Sequence, residues 1–142
     1  MKDGEVYFTG QVSLKAIIVS PRGRVLICRN LKDPELWDLP GGTLNVGEKP
    51  EEALLREIQE EIGVTPTLGE PFVADVFVKP LSGKEVFVLV YMATLPAEPQ
   101  EFVLDKTEIA EAKWISKQDL EHTNLFPEYK RALEASRQVF CR

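Results

Sequence analysis

Apolar and polar residues along the chain follow two spacings, one typical of strands and one typical of helices. Runs rich in valine, isoleucine and phenylalanine predict strands at residues 12–20, 24–29, 72–79, 85–95 and 111–115. Residues 37–42 predict a further short strand that ends in a glycine pair. Helical spacing of apolar residues predicts helices at residues 50–62 and 129–140. Because these elements alternate without a linker or an internal repeat, we expect one mixed α/β domain over residues 1–142.

The helix predicted at residues 50–62 has marked ends and two different faces. Pro50 suits the first position of a helix, and Gly63 suits a left-handed C-terminal cap. One face is apolar and consists of Leu54, Leu55, Ile58 and Ile62. The neighbouring face is acidic and consists of Glu57, Glu60 and Glu61, which are spaced i, i+3, i+4.

This acidic face is unfavourable for the isolated helix, because like charges at i, i+4 cost about 0.2–0.5 kcal/mol per pair. A divalent cation would relieve the repulsion. A cluster of oxygen ligands suits Mg²⁺ or Mn²⁺ rather than zinc. Taken alone, however, the three glutamates are also compatible with a solvated acidic surface, which is a common feature of helices.

Composition and charge narrow the class of protein. The 142 residues carry a formal net charge of −6, which argues against a groove for nucleic acid. The chain shows no apolar run of membrane-spanning length and no signal-peptide core, so we expect a cytoplasmic protein. Cys28 and Cys141 lack metal or redox spacing and are interpreted as reduced thiols.

The acidic helix belongs to a longer and highly specific pattern. Residues 42–64 read GTLNVGEKPEEALLREIQEEIGV, which matches the Nudix box at every specified position. The chain is therefore similar to the Nudix hydrolases, with a compact, MutT-like layout. This resemblance implies an α/β/α sandwich around a mixed β-sheet. It also implies Mg²⁺- or Mn²⁺-dependent hydrolysis of a nucleoside diphosphate that is linked to another moiety.

The resemblance assigns roles to individual residues of the box. Four positions match the metal ligands of the family, with the first contributing its backbone carbonyl: Gly42, Glu57, Glu60 and Glu61. Arg56 matches the arginine that orients a box glutamate. Glu48 matches the earlier box glutamate, which is either a partner of Arg56 or an outer metal ligand.

Two candidates lie outside the box. Glu108 precedes Trp114 by six residues, which resembles the spacing of a MutT loop glutamate that acts as a metal ligand or general base. Other loop carboxylates compete for this role, namely Glu98, Glu101 and Glu111. Arg29, at the end of the second predicted strand, resembles an arginine of MutT that contacts phosphate. The single histidine, His122, lies in a polar run and is interpreted as a surface residue.

The substrate is left open between two classes. Compactness and the Glu108 spacing favour a nucleoside triphosphate. Pro80, sixteen residues after Val64, resembles a position seen in ADP-ribose hydrolases, although it also fits a plain hairpin turn. Four phenylalanines are available to stack on a base but are interpreted as core residues: Phe8, Phe72, Phe77 and Phe126.

Two further interpretations belong to other functional classes. One is a catalytically silent module that senses a nucleotide, and the other is a protein-interaction domain in which the acidic helix is only a surface. The intact box argues against the first, and metal binding would exclude the second. A homodimer is possible, since dimers are common among similar proteins.

Overall fold

The computed structural model describes residues 4–136, which form seven strands and three helices. In chain order these are β1 Gln11–Val19, β2 Val25–Asn30, β3 Trp37–Asp38, β4 Gly41–Thr43, α1 Pro50–Ile62, β5 Thr67–Val78, β6 Glu85–Thr94, β7 Ile109–Ile115, α2 Lys117–Leu120 and α3 Pro127–Ala135. Within this part of the chain, no helix combines the length and the apolar character that a membrane span requires.

The strands form one mixed sheet with the order β3-β2-β1-β6-β5, while β4 pairs with β1 and β7 pairs with β2. Among the strand pairs of the described residues, β1 and β6 are the parallel pair, and their connection contains α1, as a parallel crossover requires. Strands β1 and β2 meet only at Val19 and Val25 and then separate. The two short strands β3 and β4 fill the resulting gap, so the loop that enters α1 begins in the middle of the sheet.

Side chains on alternate positions of β1 point into two different apolar layers. Ile17 and Val19 pack in a cluster with Leu133 of α3. Leu14 and Ile18 pack in a second cluster with residues of α1. Because successive side chains of a strand point to opposite faces, each face of the sheet is covered by a different helix. The expected α/β/α sandwich around a mixed sheet is thereby confirmed.

Helix α1 begins at Pro50 and ends at Ile62, as the sequence predicts. Gly63 caps it with φ +73°, and its N–H donates to the carbonyl of Gln59. Apolar burial on the sheet side involves Ala53, Leu54, Ile58 and Ile62, whereas Leu55 is only half-buried. This burial offsets the repulsion on the acidic side, since most helix stability in proteins comes from packing of the apolar face.

Several sequence predictions are corrected by the structure. Strand β5 begins at Thr67 rather than residue 72, because bulges around Pro71 hide its first half from periodicity. Strand β7 begins at Ile109 rather than residue 111, and helix α3 begins at Pro127 rather than residue 129. The predicted continuation of that helix to residue 140 and the thiol of Cys141 lie outside the described residues.

Two short elements were absent from the predictions. Strand β4 is a separate strand after β3 rather than its continuation. Helix α2 has one turn, and a capping box between Ser116 and Asp119 stabilises its start. Two phenylalanines also differ from expectation, because Phe8 and Phe72 are exposed whereas Phe77 and Phe126 pack against the core.

Strand β5 lies at an edge of the sheet and carries exposed apolar side chains. Phe72, Val76 and Val78 are all exposed. Two features reduce the capacity of this edge to pair with another strand. Pro71 has no backbone N–H, and the N–H of Val76 donates to the carboxylate of Asp75 at 2.8 Å.

Ion pairs connect distant parts of the chain, and two of them involve β1 or the turn that follows it. Lys15 of β1 and Asp38 of β3 are both buried, with Nζ and Oδ2 3.1 Å apart. Burial is the largest single influence on the pKa of Lys15 and lowers it, but the combined attractions of Asp38 and other nearby groups prevail and raise it. Near the surface, Arg24 and Ser20 both bond to Glu98, which ties the β1–β2 turn to the loop after β6.

Candidate active site

Arg56 is the centre of the acidic face of α1. Its guanidinium Nη2 lies 2.6 Å from Oε2 of Glu48 and 3.3 Å from Oε1 of Glu57. Nη1 lies 3.1 Å from Oε2 of Glu60. Because a guanidinium offers five donors in one plane, a single arginine can hold several carboxylates in fixed positions. The helix therefore presents its glutamates already arranged around one cation.

Glu48 contacts Arg56, which fits one of the two roles that the sequence leaves open for it, and its role as an outer metal ligand stays a prediction. Its other carboxylate oxygen accepts the N–H of Asn45 at 2.8 Å. These bonds, the one from the Asn45 backbone first and the one from Arg56 second, lower the pKa of Glu48. Glu48 consequently links the loop that leads from the sheet into α1 to the helix itself.

Gly42 lies directly against Glu57. A Cβ atom added at Gly42 would be 2.8 Å from Cδ and 2.9 Å from Oε2 of Glu57. A real Cβ does not approach another atom so closely, so only glycine permits this packing of backbone against carboxylate. Gly42 is fixed in turn by pairing with Leu14 of β1. The sheet and α1 thus bring a backbone segment and a glutamate together.

The three glutamates of the predicted ligand set have different environments. Burial raises the pKa of Glu61 to about 8, although the positive charge of Lys15 opposes this shift. Burial also raises the pKa of Glu57, which Arg56 opposes. Glu60 is mostly exposed. The charged forms of Glu61 and Glu57 are therefore the least favourable of the three, because burying a carboxylate disfavours its charged form.

The donor chemistry of this region fits a hard divalent cation. The available groups are carboxylate oxygens and the backbone near Gly42, which are the ligands that Mg²⁺ and Mn²⁺ favour. Because position 42 is glycine, the carboxylate of Glu57 occupies the space that a side chain would fill. Within residues 4–136, no three carboxylate, imidazole or thiol groups converge on one point in the manner of a finished metal site. Arg56 instead holds the carboxylates apart from one another.

Glu108 lies near the glutamates of α1. Its negative charge is one of the causes that raise the pKa values of Glu57 and Glu61, after burial in each case. The side chain of Glu108 is exposed. Its backbone is held by two bonds, from its own N–H to Asp105 O and from Leu31 N–H to its carbonyl. Glu108 is thus an available carboxylate on a fixed loop.

The competing loop carboxylates are placed differently. Glu98 is occupied by Arg24 and Ser20, and these bonds lower its pKa to about 2, with Arg24 the larger cause. Glu111 pairs with Arg29 at 3.2 Å. Glu101 is exposed on the loop between β6 and β7, which also carries Glu108. Among these four residues, Glu108 is the one whose charge acts on both Glu57 and Glu61.

Arg29 lies at the end of β2 on the surface. Besides Glu111, it donates to the carbonyl of Pro34 at 3.0 Å, and its guanidinium carbon lies 5.6 Å from the centre of the Trp37 ring. Lys113 contacts the same ring at 4.4 Å. Contact of Arg29 with a substrate phosphate stays a prediction. His122 is exposed, in agreement with its interpretation as a surface residue.

Sequence reasoning missed two residues that surround the glutamates. Lys15 is a charged residue within an apolar strand, and that position was a usable signal of a buried ion pair. Asp105 was not singled out, although its N–H donates to the carbonyl of Glu61 at 2.9 Å. A backbone bond of this kind has no sequence signature.

Comparison with known proteins identifies the family. The NUDIX domain model matches residues 10–136, which is most of the chain. The chain belongs to the NUDIX domain family. The expectation of a Nudix hydrolase, which came from the box together with the order and length of the predicted elements, is thereby confirmed.

Curated Nudix relatives include nucleotide hydrolases. The chain is 30% identical over 118 residues to nucleoside triphosphatase NudI of Escherichia coli O17:K52:H18, covering 76% of this chain and 84% of the relative. It is 34% identical over 100 residues to a putative 8-oxo-dGTP diphosphatase of Bacillus subtilis, covering 70% and 62%. It spans only 32% of the RNA pyrophosphohydrolase of Rhodospirillum rubrum, at 42% identity. Two of these three relatives are thus matched over less than two thirds of their length.

Solved structures show the same Nudix fold. The MutT protein of Methanosarcina mazei Go1 superposes with a TM-score of 0.77 at 25% identity, covering 94% of this chain and 97% of that one. The NUDIX domain of Shewanella oneidensis NrtR, solved with ADP ribose, also has a TM-score of 0.77, at 19% identity. The latter covers 96% of this chain and 92% of its own, and its likeness concerns the fold alone.

The contact between Gly42 and Glu57 generates a first prediction. We expect Gly42→Ala to displace the Glu57 carboxylate and to lower turnover about 10- to 100-fold, the usual cost of disturbing the surroundings of a metal ligand. The melting temperature should change little, because the flexible end of Glu57 can move aside. Steady-state kinetics and thermal melting measure the two effects.

Gly41→Ala is the matched control. Gly41 has φ +142°, and an added Cβ would lie 2.0 Å from the backbone oxygen of Leu14. This variant should lose stability by about 1–3 kcal/mol or more, the scale of such backbone strain. If Gly42→Ala also melts early and its activity loss follows the unfolded fraction, the packing role assigned to Gly42 is wrong.

The pKa of Glu61 generates a second prediction, for the metal-free protein. Folded Glu61 keeps its proton up to about pH 8, whereas the unfolded chain releases it near 4.5. Folding takes up a proton in this window, so the stability that the protonated form contributes is fully present below about pH 4.5 and is lost as pH rises towards 8. We expect the melting temperature of EDTA-treated protein to fall from pH 5 to pH 8.5.

Glu61→Gln should flatten this dependence, because glutamine does not titrate. Added Mg²⁺ should restore stability most at the high-pH end, where the carboxylate is charged. Parallel melting curves of the wild type and Glu61→Gln would contradict the assignment of the slope to Glu61.

Proposed function

We propose that the chain is a divalent-metal-dependent pyrophosphohydrolase of nucleoside triphosphates. The observation that carries this proposal is the arrangement of the Nudix-box glutamates around Arg56 and Gly42 in a chain of this family. Nucleoside triphosphatase NudI of Escherichia coli, which this chain matches over most of both lengths, supports the substrate class. The alternative substrate is ADP-ribose or a nucleotide sugar, and the NrtR domain solved with ADP ribose shares the fold.

In this proposal the cation is held by the backbone carbonyl of Gly42 together with Glu57, Glu60 and Glu61. A bound Mg²⁺ or Mn²⁺ ion polarises phosphoryl oxygens and lowers the pKa of a bound water molecule. A bound cation would offset the negative charges of Glu57 and Glu61, whose pKa values are raised by burial first, with neighbouring carboxylates adding to the shift. Because burial favours the protonated carboxyl groups, cation binding releases protons and strengthens as pH rises.

The residues of the chain have complementary roles around the phosphates. Arg56 keeps the box glutamates in place through its bonds to Glu48, Glu57 and Glu60. Glu108 accepts the proton of the attacking water, since it is exposed, close to Glu61 and free to exchange protons with solvent. Arg29 contacts a substrate phosphate after exchanging its surface contact with Glu111. No covalent intermediate is needed.

The proposal also covers the location and the oligomeric state of the protein. A cytoplasmic location fits a nucleotide substrate, and a homodimer is testable by analytical ultracentrifugation. A nucleotide-sensing module without turnover is the competing class, and only an activity measurement separates it from the enzyme.

A nucleotide panel tests the proposed reaction. Nucleoside triphosphates, ADP-ribose, other nucleotide sugars and dinucleoside polyphosphates are supplied with Mg²⁺, and the products are separated by ion-exchange chromatography. We expect release of nucleoside monophosphate and pyrophosphate from a triphosphate, and little or none with EDTA. Glu61→Gln should reduce turnover at least about a hundredfold, because it removes a charged ligand without changing its shape. Full activity in EDTA would reject the metal requirement.

The role of Glu108 generates a separate prediction. Glu108→Gln should lower turnover strongly and leave the melting temperature almost unchanged, since exposed substitutions usually stay within about 0.5 kcal/mol. Glu101→Gln is the matched control on the same loop, and it should keep the wild-type rate. If Glu108→Gln is fully active at saturating metal while Glu61→Gln is not, the base belongs to α1 and the hydrolase proposal stands.

A further inference from the structure

The loop between β6 and β7 packs closely against the C-terminal end of α1. Phe102 and Leu104 of this loop pack against the core on the α1 side of the sheet. A Cβ atom added at Gly63 would lie 2.9 Å from Cβ of Val103. Glycine at the cap of the helix therefore allows the loop to pack closely against it. The loop thus reaches the end of α1 that carries Glu61.

Asp105 makes a direct bond between this loop and α1. Its N–H donates to the backbone carbonyl of Glu61 at 2.9 Å. That carbonyl belongs to the last turn of the helix, where carbonyl groups lack partners within the helix. The bond thus fixes the loop to the backbone of the residue that carries the most buried glutamate of the box.

The same residue builds the turn that presents Glu108. The carbonyl of Asp105 accepts the N–H groups of Glu108 at 3.0 Å and Ile109 at 2.8 Å. Its Oδ1 accepts the N–H of Thr107 at 3.0 Å and the hydroxyl of Thr107 at 2.6 Å. An aspartate that bonds to the backbone two residues later stabilises a turn without help from the rest of the fold.

We propose that Asp105 is a positioning residue that couples Glu108 to Glu61. The proposal rests on the proposed function for the role of Glu108, and it adds a residue that touches neither metal nor substrate. The N–H of Asp105 sets the distance from the loop to α1, while its carbonyl and carboxylate set the direction in which Glu108 leaves the turn. A change in the side chain of Asp105 therefore acts on turnover through Glu108.

Substitutions at Asp105 test this coupling. Asp105→Ala removes both bonds to Thr107, and we expect it to lower kcat about 10- to 100-fold with a smaller change in KM, as is usual for groups that orient a catalytic shell. Asp105→Asn should stay close to the wild-type rate, because its side-chain oxygen still accepts from Thr107. A merely structural role would lower the melting temperature of both variants without this difference in rate.

A double-mutant cycle tests whether Asp105 acts through Glu108. In the Glu108→Gln background, Asp105→Ala should cause no further loss of kcat, since residues of one network do not act additively. Asp75→Ala is the matched control, because Asp75 also bonds an adjacent backbone N–H but lies on β5. That variant should keep the wild-type kcat. Multiplicative losses in the cycle, or wild-type kcat in Asp105→Ala, would overturn the proposal.

Amide hydrogen exchange gives a readout that is independent of activity. In Asp105→Ala the amides of Glu108 and Ile109 should exchange faster, because their acceptor lies in a loosened turn, and Asp105→Asn should restore slow exchange. Unchanged exchange in Asp105→Ala would overturn the positioning role even in a protein that hydrolyses nucleotides. If the wild type hydrolyses no nucleotide of the panel but exchange responds as expected, the proposed function fails and the positioning of Glu108 stands.

Discussion

Repulsion between carboxylates is the constraint around which this protein is built. Helix α1 carries glutamates on one face that would weaken it in isolation, and it persists because its neighbouring apolar face is buried against the sheet. Arg56 then offsets part of the repulsion by bonding to Glu48, Glu57 and Glu60. The apolar contacts thus stabilise the helix, and the arginine organises its charges. The chain holds an arrangement of negative groups that no local preference would produce.

The sheet contributes a buried positive charge to this arrangement. Separation of β1 from β2 opens a gap in which the buried pair of Lys15 and Asp38 lies, and the positive charge of Lys15 acts on Glu61 from that position. A buried lysine is tolerated because Asp38 compensates its charge. The pair and the box are therefore one electrostatic unit, in which Glu61 lies between a cation of the core and the acidic surface of α1.

The sequence predicts most of this architecture and misses its connections. Helix α1 was predicted from Pro50 to residue 62 because proline, glycine and the apolar stripe all agree, and the box specifies the family. The start of β5 was wrong because bulges near Pro71 interrupt the alternation of a strand. The bond from Asp105 to Glu61 was invisible because it joins backbone atoms, and every residue has those. Periodicity and motifs describe single elements, whereas such bonds depend on how elements meet.

The edge formed by β5 has a consequence for behaviour at high concentration. Exposed valines on an edge strand are a template for intermolecular sheet growth, the first step towards amyloid-like aggregation. Pro71 supplies no donor at one position of this edge, and Asp75 occupies the donor of Val76 at another. An incoming strand would find its ladder of hydrogen bonds interrupted twice within six residues. The chain can therefore expose apolar side chains on β5 while its backbone discourages the assembly of fibrils.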